Sequence, residues 1–169
     1  MSRISIQAVA NAVKKINAMN MDQKMILADE IFIKQPNMLS SVVALRSMGV
    51  SLEKMTVAFE ILFVCFQAMK ESKLAWPLIT EDDQEKQLKR YIAIVKFGTD
   101  LSTHLEHTAI KQYVESHPEQ PLLAFISSEH KKFLECNVAQ NSDRFLILST
   151  VTLVNCIAFV ALPKATRKS

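Results

Sequence analysis

The chain has 169 residues, 49% of them apolar and 22% charged, with two glycines and a formal net charge of +3. That composition excludes disordered and collagen-like chains, and a chain of this length buries on the order of 70% of the surface its unfolded form exposes. Acidic and basic residues are interspersed, so no broad basic stripe is available for a phosphate backbone, and nucleic-acid binding is disfavoured.

Residues 1–19 lack the continuous apolar core and small-residue cleavage site of a secretory signal. Instead Ile6, Val9, Val13 and Ile16 recur at helical spacing and predict a helix over 4–17. Asn20 is a candidate cap for a second helix over 21–34, which Pro36 closes. A third is expected over 38–48, ended by Gly49.

Ser51, with Glu53 in the following turn, opens a helix over 52–73. Its polar residues Glu53, Thr56, Glu60, Gln67 and Glu71 form one narrow stripe, so nearly the whole circumference should be covered by other helices. Trp76 and Pro77 follow, and Thr80 before Glu81, Asp82 and Asp83 opens a helix over 81–97, with Gly98 as its stop mark. Within it Lys86, Lys89 and Arg90 form the densest basic cluster, but Asp82 and Glu85 stand four residues before Lys86 and Lys89, the spacing of helix-supporting ion pairs on a solvated face.

Helices over 100–116, 122–136 and 143–162 complete the chain, punctuated by Pro118, Pro121 and Pro163, with Ser142 as a candidate cap. Phe145–Leu162 contains no Asp, Glu, Lys or Arg, and the basic residues Lys164, Arg167 and Lys168 follow it, the outline of a membrane anchor. Eighteen helical residues reach only roughly 27 Å, and Asn155 near the middle would need a partner in lipid. A buried helix with Asn155 hydrogen-bonded inside the protein is the preferred reading. No segment alternates with the period of a strand. The sequence therefore predicts an all-α globular multi-helix bundle, one domain over 1–169, with 52–73 and 143–162 as two strongly apolar central helices.

Chemistry is less legible. With two glycines the chain cannot build a Gly-rich phosphate loop, a dinucleotide fingerprint or a G-x-S-x-G elbow. No glutamate is followed three residues later by histidine, which removes the di-iron bundle pattern. Asp100, His104 and His107 share one helix face and are the metal-ligand candidates, although that face lies opposite the apolar stripe of Leu101, Leu105, Ala109 and Tyr113 and also suits a solvated polar surface.

His117, before Pro118, stands at a helix end where a cation would oppose the negative dipole, and His130 sits between Glu129 and Lys131. Ser127, Ser128 and His130 are too close in sequence to face one another as a triad. Cys65, Cys136 and Cys156 show no CxxC spacing and read as reduced core residues of a cytosolic protein.

The methionines crowd the N-terminal half. Met21, Met25 and Met38, together with Trp76, are candidates for an adaptable partner-binding groove, with core filling as the plainer role. The expected function is a non-enzymatic interaction or regulatory module without a cofactor, binding a protein partner through an apolar helical groove, with self-association as a further option. The alternatives are a metal- or haem-binding helical protein using His104 and His107, and a protein anchored in a membrane through 145–162.

Overall fold

The structure, a computed structural model, describes residues 1–99 and 111–164. The described residues form helices and no strands. Helix α1 spans Ile6–Ala18, α2 Met21–Lys34, α3 Pro36–Val43, α4 Leu52–Glu71, α5 Glu81–Thr99, α6 Gln120–Cys136 and α7 Asp143–Phe159; a 3-10 turn, Ala44–Arg46, extends α3, and residues 111–116 are also helical.

Local chemistry sets most of the boundaries. Asn20 and Gln23 exchange side-chain and backbone hydrogen bonds in a capping box at the start of α2. Thr80 and Asp83 do the same for α5, and the Ser51 hydroxyl accepts from the Lys54 N–H at the start of α4. Pro36 stands in the first turn of α3, where its missing N–H costs nothing. The segment expected as one helix over 38–48 tightens into the 3-10 turn and ends at Gly49, whose φ of +90° lets the Val50 N–H reach back to the Leu45 carbonyl at 3.1 Å.

Several boundaries differ from the sequence reading, among them the last, where the helix expected over 143–162 ends at Phe159. α4 stops at Glu71 because Lys73 takes a left-handed φ of +56° without being glycine. Gly98 does not stop α5, which continues to Thr99. Ser142 makes no side-chain cap on α7; the Asp143 carboxylate instead accepts from the Gln140 N–H.

The core lies around α4 and α7. Every residue from Ile61 to Met69 of α4 is buried, and so is every residue from Thr150 to Ala158 of α7. A run of nine buried residues passes right round a helix, so each must be covered on all sides. α4 packs on α1, α2, α3, α6 and α7, and α7 on α3, α4, α5 and α6. Full burial of each large apolar side chain contributes about 1.5–3 kcal/mol.

The polar groups of α7 are satisfied inside the chain. Thr150 and Thr152 return their hydroxyl protons to the Leu146 and Leu148 carbonyls, four residues earlier. Asn155 Oδ1 accepts from the Tyr113 hydroxyl at 3.0 Å and lies 2.9 Å from His117 Nε2. No described helix is long and apolar enough to cross a membrane. At the other end of the chain, the buried Glu119 carboxylate accepts from the Arg3 and Ile4 N–H groups, while the Arg3 guanidinium donates to the Val160 carbonyl beyond the C-terminus of α7.

One buried ion pair joins the starts of the two central helices. Lys54 Nζ lies 2.7 Å from Asp143 Oδ1, also donates to the Val138 carbonyl, and stands over the Phe133 ring. Burial alone would push the Asp143 carboxyl up, but the Lys54 ammonium and the Gln140 N–H more than offset it and hold the group below its ordinary value.

Two predictions follow from this arrangement. Deleting residues 143–169 should abolish cooperative unfolding and cause aggregation, since α4 would lose one of its covering helices; a truncated chain that is monodisperse and melts cooperatively would overturn this account of the core. Breaking the ion pair from one side, with Lys54→Met or Asp143→Ala, should cost about 3–5 kcal/mol in denaturant unfolding, and Lys54→Met with Asp143→Leu should recover most of it. Because the folded carboxyl titrates below an unfolded value of about 3.9, the pair's contribution is complete above roughly pH 5 and is lost as pH falls through the folded value. Acid titration of the Asp143→Leu, Lys54→Met double variant should lack that component.

Candidate interaction surfaces

α2 is built the wrong way round for a purely structural helix. Only Leu27 and Ile31 are buried, and the helix packs mainly on α3 and α4. Its other large apolar side chains, Met21, Met25, Ile26, Phe32 and Ile33, are 62–78% exposed. At 100° per residue, Met21, Met25 and Phe32 form one ridge and Ile26 and Ile33 a second, with Asp22 and Asp29 in the furrow between. Both aspartates are exposed, and neither has an ion-pair partner among the described residues. Lys24 and Lys34, on the flanks, are committed to Glu60 and Glu30.

Beyond the C-terminal end of α2 lies a cleft of about 320 Å³ lined by Lys34, Gln35, Phe66, Met69, Lys70, Leu74 and Trp76. Gln35 builds it. The side-chain amide of Gln35 donates to the Pro77 carbonyl at 2.7 Å and accepts from the Ile79 N–H at 2.9 Å, so the loop after α4 is tied to the α2–α3 joint. Trp76 Nε1 donates to the Met69 carbonyl and the Ser72 hydroxyl, each at 3.0 Å, which fixes the half-buried indole as one wall. Glu30 bridges Lys34 and Lys70; burial raises its pKa, but the two ammonium groups outweigh that and hold it ionised below the ordinary value.

A larger cleft of about 520 Å³ lies between the C-terminal part of α3 with its 3-10 turn, α5 and α7. Ala44, Leu45, Met48, Leu88, Ile92, Phe145 and Leu148 supply its apolar walls. α5 sits beside α7 through Arg90, whose guanidinium carbon is 3.9 Å from the Phe159 ring centroid, and is tied to α3 by Gln84 donating to the Asn37 carbonyl.

The four groove candidates therefore separate. Met21 and Met25 lie on the exposed ridge of α2, and Trp76 lines the neighbouring cleft. Met38 is completely enclosed in the core and offers nothing to a partner. Exposed Phe32, Ile26 and Ile33 were not singled out by sequence, yet their signal was present: three further apolar residues on a short helix whose buried stripe needs only two.

Asp100, His104 and His107 lie outside the described residues. Among those described, no group of three or more His, Cys, Asp or Glu side chains could hold a metal ion. His117 is buried rather than placed as a cation at a helix end. Its Nδ1 accepts from the Glu119 N–H, which leaves the proton on Nε2 to donate to Asn155. Burial lowers its pKa, with the nearby Arg90 charge acting in the same direction and its two hydrogen bonds opposing. His130 Nε2 is engaged with the Thr150 hydroxyl at 2.6 Å, and burial lowers its pKa as well. Of the three cysteines expected in the core, Cys136 is exposed on the last turn of α6; the buried Cys65 and Cys156 thiols are each pushed up to about 12 by desolvation, with the Asp83 charge adding to the effect at Cys156, so neither is a thiolate nucleophile at neutral pH. No known family, curated protein or solved structure matches the chain.

Proposed function

We propose that this chain is a non-enzymatic helical interaction module that docks a protein partner on the outer face of α2 and the adjoining Trp76 cleft. The observation that carries the reading is the exposure of Met21, Met25, Ile26, Phe32 and Ile33 on one short helix. Contiguous apolar surface of this kind, with charged residues beside it, is characteristic of interaction sites in soluble proteins. Methionines give the ridge an adaptable surface, and Phe32 is a large aromatic anchor.

The furrow gives the partner a charge. Asp22 and Asp29 are unpaired acids between apolar ridges. A partner helix with apolar residues at helical spacing and a lysine or arginine between them would cover the ridges and neutralise the furrow. The immobilised Trp76 wall beyond the helix end would take a further apolar side chain.

The test places a photocrosslinking residue at Met25 or Phe32 in the native cell, with Lys131, an exposed residue on α6, as control. A specific heterologous adduct at the two α2 positions and none at Lys131 is expected. With that partner purified, Phe32→Glu should weaken binding by about 30-fold, the scale of an interface hot spot, while altering the chain's own stability by less than about 0.5 kcal/mol because Phe32 is exposed. Adducts of twice the chain's mass alone would replace the heterologous partner with a second copy. Absence of any α2 adduct, or binding indifferent to Phe32→Glu, would overturn the proposal.

A further inference from the structure

The larger cleft between α3, α5 and α7 shares no lining residue with the α2 surface, and its chemistry points elsewhere. Its hydroxyl and amide donors are already engaged within the chain. The Ser41 hydroxyl donates to the Met38 carbonyl, the Ser149 hydroxyl to the Ser41 carbonyl, the Thr152 hydroxyl to the Leu148 carbonyl and the Gln84 amide to the Asn37 carbonyl. Glu85 is held ionised by its hydrogen bond and charge pairing with Lys89, one turn along α5. What remains for an occupant is a hydrocarbon wall, and the volume of about 520 Å³ lies in the range of ligand sites, about 300–1,000 Å³.

A cation stands beside that wall on one of its own rings. Arg144, exposed on the first turn of α7, lays its guanidinium on the ring of Phe145, 4.8 Å from the centroid, and Phe145 lines the cleft. No carboxylate pairs with Arg144 among the described residues. A guanidinium on an aromatic face keeps its edge N–H donors free, and those donors match the two oxygens of a carboxylate. We infer that the cleft is a binding site for a fatty carboxylate, its alkyl chain against Leu45, Leu88, Ile92 and Leu148 and its carboxylate on Arg144. The apolar body needs no hydrogen bonds, and the anionic end meets a guanidinium that lies on one of the wall's own rings. The inference is independent of the proposed partner surface on α2.

Calorimetric titration of the full chain with octanoate and dodecanoate, each below its self-assembly concentration, tests this, with dodecanol as the uncharged comparator. One molecule per chain should bind, dodecanoate more tightly than octanoate by up to about fourfold per added CH2 until the cleft is full. Arg144→Gln should weaken dodecanoate about threefold, as for an exposed ion pair, and leave dodecanol unchanged. Ala44→Phe, which fills the cleft from a half-buried position, should abolish binding of both; Leu88→Glu, on the opposite wall, provides the same block through charge should the first variant fail to melt cooperatively. No binding of dodecanoate, binding that survives both blocking variants, or equal affinity for dodecanoate and dodecanol with Arg144→Gln silent would each overturn the assignment.

Discussion

Everything in this molecule depends on having to surround two helices that are apolar nearly all the way round. α4 and α7 each carry a run of nine buried residues, and no single neighbour can cover a full circumference. The chain answers by wrapping α4 with α1, α2, α3 and α6 and by setting α7 beside it, so that each central helix is part of the other's cover. The arrangement leaves little freedom of register, because Lys54 at the start of α4 must meet Asp143 at the start of α7 or leave a charge buried alone.

The same constraint shows which helix faces are left uncovered. Covering helices need an apolar stripe toward the centre and nothing apolar outside, and α1 approaches that pattern: Ala8, Val9, Ala12 and Ile16 are buried. α2 does not. It gives the core two buried side chains, with Ala28 packed beside them, and keeps five large apolar ones outside. The larger cleft has a different origin. There the walls come from three separate elements, and their hydroxyl and amide donors are turned to their own backbone or to α3, so that apart from Glu85 the space between them is lined mainly by apolar side chains.

The fold was legible where it rests on local chemistry. Capping at Asn20, Ser51 and Thr80, helical spacing, and the prolines mark the helices, and the charge-free stretch 145–162 together with the narrow polar stripe of 52–73 identifies the central pair. What escaped depends on residues distant in sequence. Lys54 follows Glu53 in the first turn of its helix and looks solvated; its partner is 89 residues away. His117 suits a helix end as a cation, but the N–H of Glu119 takes its Nδ1 and Asn155 its Nε2, which requires the neutral ring. Met38 and Met25 are alike as sequence, and only the packing of α3 against α4 distinguishes the enclosed one from the exposed one. The rule that glycine marks a helix end also has exceptions: Lys73 follows a helix end in the left-handed region, and Gly98 does not end one.

The character of the C-terminal helix turns on the difference between its threonines and its asparagine. A threonine hydroxyl can return its proton to the carbonyl one turn back, so the Thr150 and Thr152 donors are satisfied within the helix, and Thr150 Oγ1 in addition meets His130 Nε2 of α6. Asn155 cannot satisfy its carboxamide oxygen that way, since an acceptor needs donors from outside its own helix. It finds two, the Tyr113 hydroxyl and the protonated Nε2 of His117, and the second is available only because the Glu119 N–H fixes the tautomer. Glu119 is in turn fastened by the N–H groups of Arg3 and Ile4, and Arg3 reaches the carbonyl that follows α7. Hydrogen bonds therefore lead from the middle of the apolar helix through residues 113–119 to the first residues of the chain and back to the same helix. A segment whose one demanding polar group is answered in this way is specified by its own protein, and that dependence accounts for how so apolar a stretch is held in one position among the helices around it.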